Sequence, residues 1–174
     1  GSRGSLPTPE PYTARYGGNS TCLEVRFNDG NRLVIDAGSG IRKLGNALLK
    51  DKARPKELYL YLTHAHWDHL MGFPFFTPAY IKGMKLHVRG GVMAKRFLEK
   101  YLTKQMEAPF FPVDFKAMQA RFDFTKGKPA GFQAGGAKIT PIPLSHPNGG
   151  WGCKIEEAGR SFVFLTDNEL GYRH

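Results

Sequence analysis

Apolar and polar residues alternate through "STCLEVRF" (20–27), the spacing of a strand with one buried face. "NDGN" follows as a hairpin turn, and "RLVIDAG" (32–38) reads as a second strand. The period then changes. Glycines in "GSGIRKLGNALLK" release the strand, and Ile41, Leu44, Leu48 and Leu49 recur at helical spacing. "RP" at 54–55 breaks that helix, and "ELYLYLTH" (57–64) is a buried strand rich in Leu and Tyr. A strand–helix–strand unit places its two strands as neighbours in one sheet, at least partly parallel. "KLHVRG" (85–90) is a short strand, and "VMAKRFLEKYLTKQM" (92–106) is an amphipathic helix with Phe97 and Leu98 among its apolar positions. "EAPFFPVDF" is a Pro-punctuated, aromatic-rich loop, and "QARFDFTKGK" leads into a glycine-rich turn. "AGGAKITPIPLSH" (134–146) is a strand ending in a histidine. "GWGCKIEEAGRSFVFLTD" (150–167) is a hairpin whose second strand ends in an aspartate. The pattern predicts a mixed sheet covered by helices, in one domain over 1–174 with a helical and loop insert at about 92–118.

Composition narrows the setting. No apolar run is long enough to span a membrane, and no secretory signal is visible. Cys22 and Cys153 lie in strand-like runs outside any CxxC pair, which predicts buried thiols and a reducing, cytoplasmic location. Twenty-five basic residues against fifteen acidic ones give a formal charge of +10. That surplus favours an anionic partner such as a phosphate ester or nucleic acid.

Three strands finish on metal-capable residues: His64, His146 and Asp167. Sites form where strand ends meet loops, because the sheet fixes the side chains while the loops leave space. In "THAHWDH", His64 and His66 are two apart on an extended segment, so both rings point the same way. Asp68 and His69 then turn toward a second point. One metal would take His64, His66 and His146; the other would take Asp68 and His69, with Asp167 bridging the two. Nitrogen and oxygen ligands without thiolate suit zinc first, then manganese or iron. His87, alone in a short strand, reads as structural.

"THAHWDH" resembles the signature of the metallo-β-lactamase-fold hydrolases. "RYGGNSTCLEV", "LVIDAGSGIRKLG", "PLSHPNGGWGCKIE" and "FLTDNE" extend the resemblance along nearly the whole chain. The branch is the one containing ribonuclease Z, the PhnP-like cyclic phosphodiesterases and the cyclic-nucleotide phosphodiesterases. The resemblance implies an α+β fold, a four-layer αββα sandwich with two divalent ions between the sheet edges. It implies that Asp36 orients the histidine loop by hydrogen bonds. It also implies a further histidine on the second metal, and further strands and helices, downstream of the bridging aspartate. The chain stops at "TDNELGYRH", with His174 only seven positions after Asp167. His174 is not taken as that ligand, so the sandwich is expected to lack its C-terminal part.

The implied reaction is hydrolysis of a phosphodiester in a nucleotide, cyclic nucleotide or RNA, with Asp68 ligating one metal and orienting the attacking water. In the insert, Phe110 and Phe111 could stack on a nucleobase, and Lys104 could meet phosphate. The same fold hosts hydrolases of lactones, thioesters and β-lactams, and a non-catalytic metal-binding or sensor domain would keep the same ligands. Family members often form homodimers; no membrane partner is expected.

Overall fold

The computed structural model describes residues 1–90, 92–124 and 131–171, the side chains of 92–97 excepted. The apolar side chain of Phe97, the "TKGK" turn and His174 therefore lie outside the described residues. Two sheets form. The first has the order β1(Leu23–Arg26)–β2(Arg32–Ile35)–β3(Glu57–Leu62)–β4(Lys85–Gly90)–β5(Arg121–Phe124). β1 and β2 are the antiparallel hairpin, and β2 to β5 run parallel. The second is an antiparallel meander of β6(Phe132–Ala134), β7(Ala137–Leu144), β8(Gly150–Glu157) and β9(Arg160–Phe164).

The three parallel pairs need three crossovers; helices enter two of them, and 3-10 turns within 67–80 fill the one between β3 and β4. α1(Gly40–Lys50) links β2 to β3, and α2(Val92–Lys104) follows β4. Both pack on the same face of the first sheet. Ile41 and Leu48 from α1 and Leu98 and Leu102 from α2 join Leu58, Leu60, Leu62, Leu86 and Val88 in one core. The expected insert is thus part of this helical layer, with Leu102 and Met106 fully buried. The other face of the first sheet meets the second sheet. Leu33, Ile35 and Tyr61 interdigitate there with Ala134, Ala137, Ile139, Cys153 and Ile155.

The molecule therefore shows three layers, helices on sheet on sheet. Among the described residues no helix covers the far face of the second sheet. On β9, Phe162 and Val163 stay about half exposed.

β7 keeps two prolines because of its neighbours. Among the described residues β6 pairs only with Ala137–Ile139, and at Pro141 and Pro143 the described neighbour of β7 is β8 alone. A strand edge tolerates the missing N–H. Cys153 is buried on β8 as expected, but Cys22 is only half buried and sits just before β1. The sequence pattern did not predict β5, β6 or the 3-10 turns Trp67–His69, Phe73–Phe75 and Thr77–Tyr80.

Candidate metal centre

β2, β3, β7 and β9 all end at one edge of the sandwich, and the chain there is bent to fit. Asp36 follows β2 with φ of 61°, and Asp167 follows β9 with φ of 55°, left-handed conformations that Asp tolerates better than most residues. The histidine loop crosses the exit of β2 at backbone contact. Ala37 N–H donates to His69 O at 2.7 Å, and Gly72 N–H donates to Ala37 O at 2.8 Å. A Cβ on Gly38 would stand 2.4 Å from Asp68 O, and one on Gly72 would stand 2.1 Å from Gly38 O. Both glycines are there for that close crossing. On the other side, Trp151 N–H donates to Thr63 O at 2.9 Å, which ties β8 to the end of β3.

Two groups of side chains converge. His64, His66 and His146 form one; His64, His69 and Asp167 form the other. His66 Nδ1 lies 3.0 Å from both His64 Nε2 and His146 Nε2. Asp167 Oδ2 lies 2.7 Å from His69 Nε2 and 3.5 Å from His64 Nε2, between the two groups. Asp68 Oδ2 is 3.4 Å from His69 Nε2 and accepts the Ser5 amide at 2.8 Å.

The outer nitrogens of these rings are held. Asp36 is the hub: it is fully buried, with Oδ2 at 2.7 Å from His69 Nδ1. Its Oδ1 accepts the Thr63 amide at 2.8 Å, and the Thr63 hydroxyl also reaches it. Thr63 Oγ1 in turn sits 3.0 Å from His64 Nδ1. Glu169 Oε1 lies 2.9 Å from His146 Nδ1. The Asn148 amide is 3.5 Å from His66 Nε2, at the limit of reach. The outer nitrogens of His64, His69 and His146 thus each have an acceptor for an N–H, which turns their inner lone pairs toward a common point, while the Asn148 Nδ2 beside His66 Nε2 is itself a donor.

That arrangement fits a divalent cation. His66 Nδ1, at 3.0 Å from both His64 Nε2 and His146 Nε2, carries at most one proton and so cannot satisfy both neighbours. A tetrahedral ion with bonds of about 2.0 Å spaces its ligands roughly 3.3 Å apart. His69 Nε2 is buried without a properly directed hydrogen bond, although Asp167 Oδ2 is 2.7 Å away. A lone pair and a carboxylate that approach without an N–H between them suit a shared cation.

The protonation tendencies agree at His64. Burial, then the neighbouring His69 and His66, push it down to about 3, so its ring is neutral and ligand-ready. At His69 burial acts downward, but Asp167 and Asp36 outweigh it and draw the ring up to about 10. Asp167 is held below the usual carboxylate range, chiefly by His69. Burial pushes Asp36 up, against the hydrogen bonds from His69 and Thr63.

The structure thus brings together His64, His66, Asp68, His69, His146 and Asp167, with Asp36 behind them. It places the insert residues elsewhere. Phe111 packs edge-on against Phe75 at 5.5 Å, and Phe110 is 84% exposed. Neither these nor Lys104 line the two cavities beside the histidines. Sequence reasoning missed Thr63, Asn148, Glu169 and Ser5. Only Glu169 carried a signal, a carboxylate two residues beyond Asp167 in the same turn. One cavity, of about 310 Å³, is lined by Gly4, Ser5, His66, Asp68, His146, Asp167, Asn168 and Glu169. The other, of about 240 Å³, is lined by Thr63 to His66, Tyr101 and Asn148 to Trp151. A larger cleft of about 630 Å³ lies between β1 and the β8–β9 hairpin and touches none of the histidines.

Two stacked sheets that deliver histidines and aspartates to one edge define a metallo-β-lactamase-type sandwich. The model of the β-lactamase superfamily domain matches residues 31–172, and the chain belongs to that family. It is 24% identical to ribonuclease Z of Leuconostoc mesenteroides over 157 residues, 86% of this chain and 46% of that protein. The metallo-β-lactamase fold protein YhfI from Bacillus subtilis superposes with a TM-score of 0.58 at 17% identity, over 86% of this chain and 55% of that one. The short form of human tRNase Z superposes with a TM-score of 0.55 at 19% identity, over 96% of this chain and 67% of that one. The chain thus spans about half the length of the ribonuclease Z and of YhfI.

Proposed function

We propose that this chain carries the metal-binding part of a dinuclear hydrolase that cleaves phosphodiesters in a nucleotide, cyclic nucleotide or RNA. The observation that supports it best is the convergence of four imidazoles beside Asp68 and Asp167, three of which, His64, His69 and His146, have outer nitrogens facing acceptors. The similarity to a ribonuclease Z and the +10 charge favour a phosphodiester over a lactone, thioester or β-lactam.

His64, His66 and His146 would hold one ion, and His69 and Asp68 the other, with Asp167 shared; zinc is the metal their chemistry suits best. When bound, such a pair lowers the pKa of a water and offsets charge on the phosphate. Asp36 fixes His64 and His69 in the tautomers that present Nε2. Glu169 does the same for His146. Asp68 has Oδ2 anchored by the Ser5 amide, which leaves its other oxygen to accept a hydrogen bond from the attacking water and orient it.

Elemental analysis of the intact protein, paired with hydrolysis of bis-p-nitrophenyl phosphate against a simple lactone, tests this reading. Two ions per chain and turnover of the diester are expected. His66→Ala should lose both metal and turnover. A metal-free protein, turnover of the lactone alone, or full turnover by the variant would overturn it.

A further inference from the structure

We infer that the 240 Å³ cavity between α2 and β8 is a nucleobase subsite, occupied by one flat ring attached to the phosphodiester. The inference rests on the phosphodiesterase reading and adds to it the identity of one ester arm. Three features of the cavity support it: its walls, its size and its position.

The walls are a tyrosine and a tryptophan from different elements, Tyr101 of α2 and Trp151 of β8. Ala65, Gly149 and Gly150 leave the space between them open, and Thr63, His64, His66 and Asn148 complete the lining. Among the described side chains no lysine, arginine or carboxylate lines it, which suits an uncharged ring better than a phosphate. Aromatic side chains bind bases by stacking, and every base offers a flat face. Asn148 adds one amide, able to donate to or accept from a ring edge. Its position is set by a tight turn. Gly149 N–H donates to His146 O at 2.9 Å, with Pro147 and Asn148 at the corners and φ of 64° at Asn148, the pattern of a type II turn.

At about 240 Å³ the space is smaller than the roughly 300–1,000 Å³ of sites that enclose drug-sized ligands. It has room for one ring system and not for a dinucleotide. Its position decides which ring. His66 lines this cavity and also the polar 310 Å³ cavity that holds Asp68, Asp167 and Glu169. A phosphorus held at the histidines therefore has one ester arm facing Tyr101 and Trp151, and the other facing Ser5 and Asn168. Phe110 and Phe111, the aromatics the sequence offered for stacking, line neither space.

Calorimetric binding of AMP and of ribose 5-phosphate to the intact metal-loaded protein isolates the ring, because both ligands carry the same phosphate. AMP should bind at least roughly tenfold more tightly, the ratio that one stacked base supplies. Trp151→Ala and Tyr101→Ala should each bring the ratio near one, while Trp151→Phe and Tyr101→Phe keep it. Ala65→Leu, at an exposed position, should abolish the preference by filling the space, and it reads the site even if an alanine variant fails to fold. A parent ratio near one, or a preference that survives the folded alanine variants or Ala65→Leu, overturns the inference. Diester turnover without the preference sinks the subsite alone. The preference without any turnover sinks the hydrolase reading alone.

Discussion

His69 and His87 have nearly the same neighbours and opposite characters. Each ring stands between two carboxylates: His69 between Asp36 and Asp167, both at 2.7 Å, and His87 between Glu57 at 2.7 Å and Asp123 at 2.9 Å. His87 makes proper hydrogen bonds through both nitrogens and stacks on Tyr59 at 4.6 Å. Its carboxylates are half exposed and also meet Arg89 and Lys85, so charge is balanced on the spot. His69 is fully buried, its Nε2 lacks a directed partner, and three more imidazoles crowd the same point. A histidine among acids is therefore no signature of a metal site. An unspent lone pair with further donors aimed at the same spot is the better sign.

Variants should separate the two environments. The largest effect is expected at the hub. Asp36→Ala strips the acceptor from Thr63 and His69 together and should cost on the order of 3–5 kcal/mol, the range for breaking a buried charged pair, with loss of bound metal. Urea unfolding and elemental analysis read the two effects separately. Next is His69→Ala, which should remove one ion per chain, while His87→Ala keeps full metal content and loses about 1–2 kcal/mol from its hydrogen bonds and stacking. Equal metal loss in both would erase the distinction. Glu169→Ala should weaken metal binding roughly tenfold or somewhat more by freeing His146, as outer hydrogen-bond partners of metal ligands do; chelator competition measures it.

The smallest effect concerns acid. His87 is the main influence holding Glu57 below the ordinary carboxylate range, and Arg89 followed by His87 does so for Asp123. Lowered carboxyl groups stabilise the fold above their unfolded pKa of about 4, and that contribution fades as pH falls through their folded values. His87→Gln should therefore cost most near pH 7 and least near pH 3. Both carboxylates are half exposed, so the difference should stay under about 1 kcal/mol. A gap that widens in acid would contradict it.

Much of the site could be read from the chain because its ligands sit at the ends of strands with clear periodicity. "LYLYLT", "KITPIPLS" and "SFVFLT" announce themselves by alternation or apolar runs, and the residue after each is fixed by the pleat. The parts that escaped lack such periodicity. β5 has four residues and β6 three, too few for alternation to show. The stretch 67–80 reads as irregular because Pro74 and Pro78 break it into single 3-10 turns. Glu169 looks like any solvated acid in a turn; it reaches His146 because Glu169 N–H donates to Ser145 O at 2.7 Å and folds the turn back. Phe110 and Phe111 suggested stacking by type, but which wall a loop aromatic faces depends on packing that spacing does not encode.

Asp36, Asn148 and Asp167 are each held at a positive φ where the chain turns toward the histidines. Side-chain chemistry and chain direction are thus selected at the same positions. A glutamate at 36 or 167 keeps the charge, yet it is a methylene too long and ill suited to that backbone angle. Asparagine accepts the angle but gives up the charge. Any redesign of this edge has to change the course of the loops before it can exchange the acids.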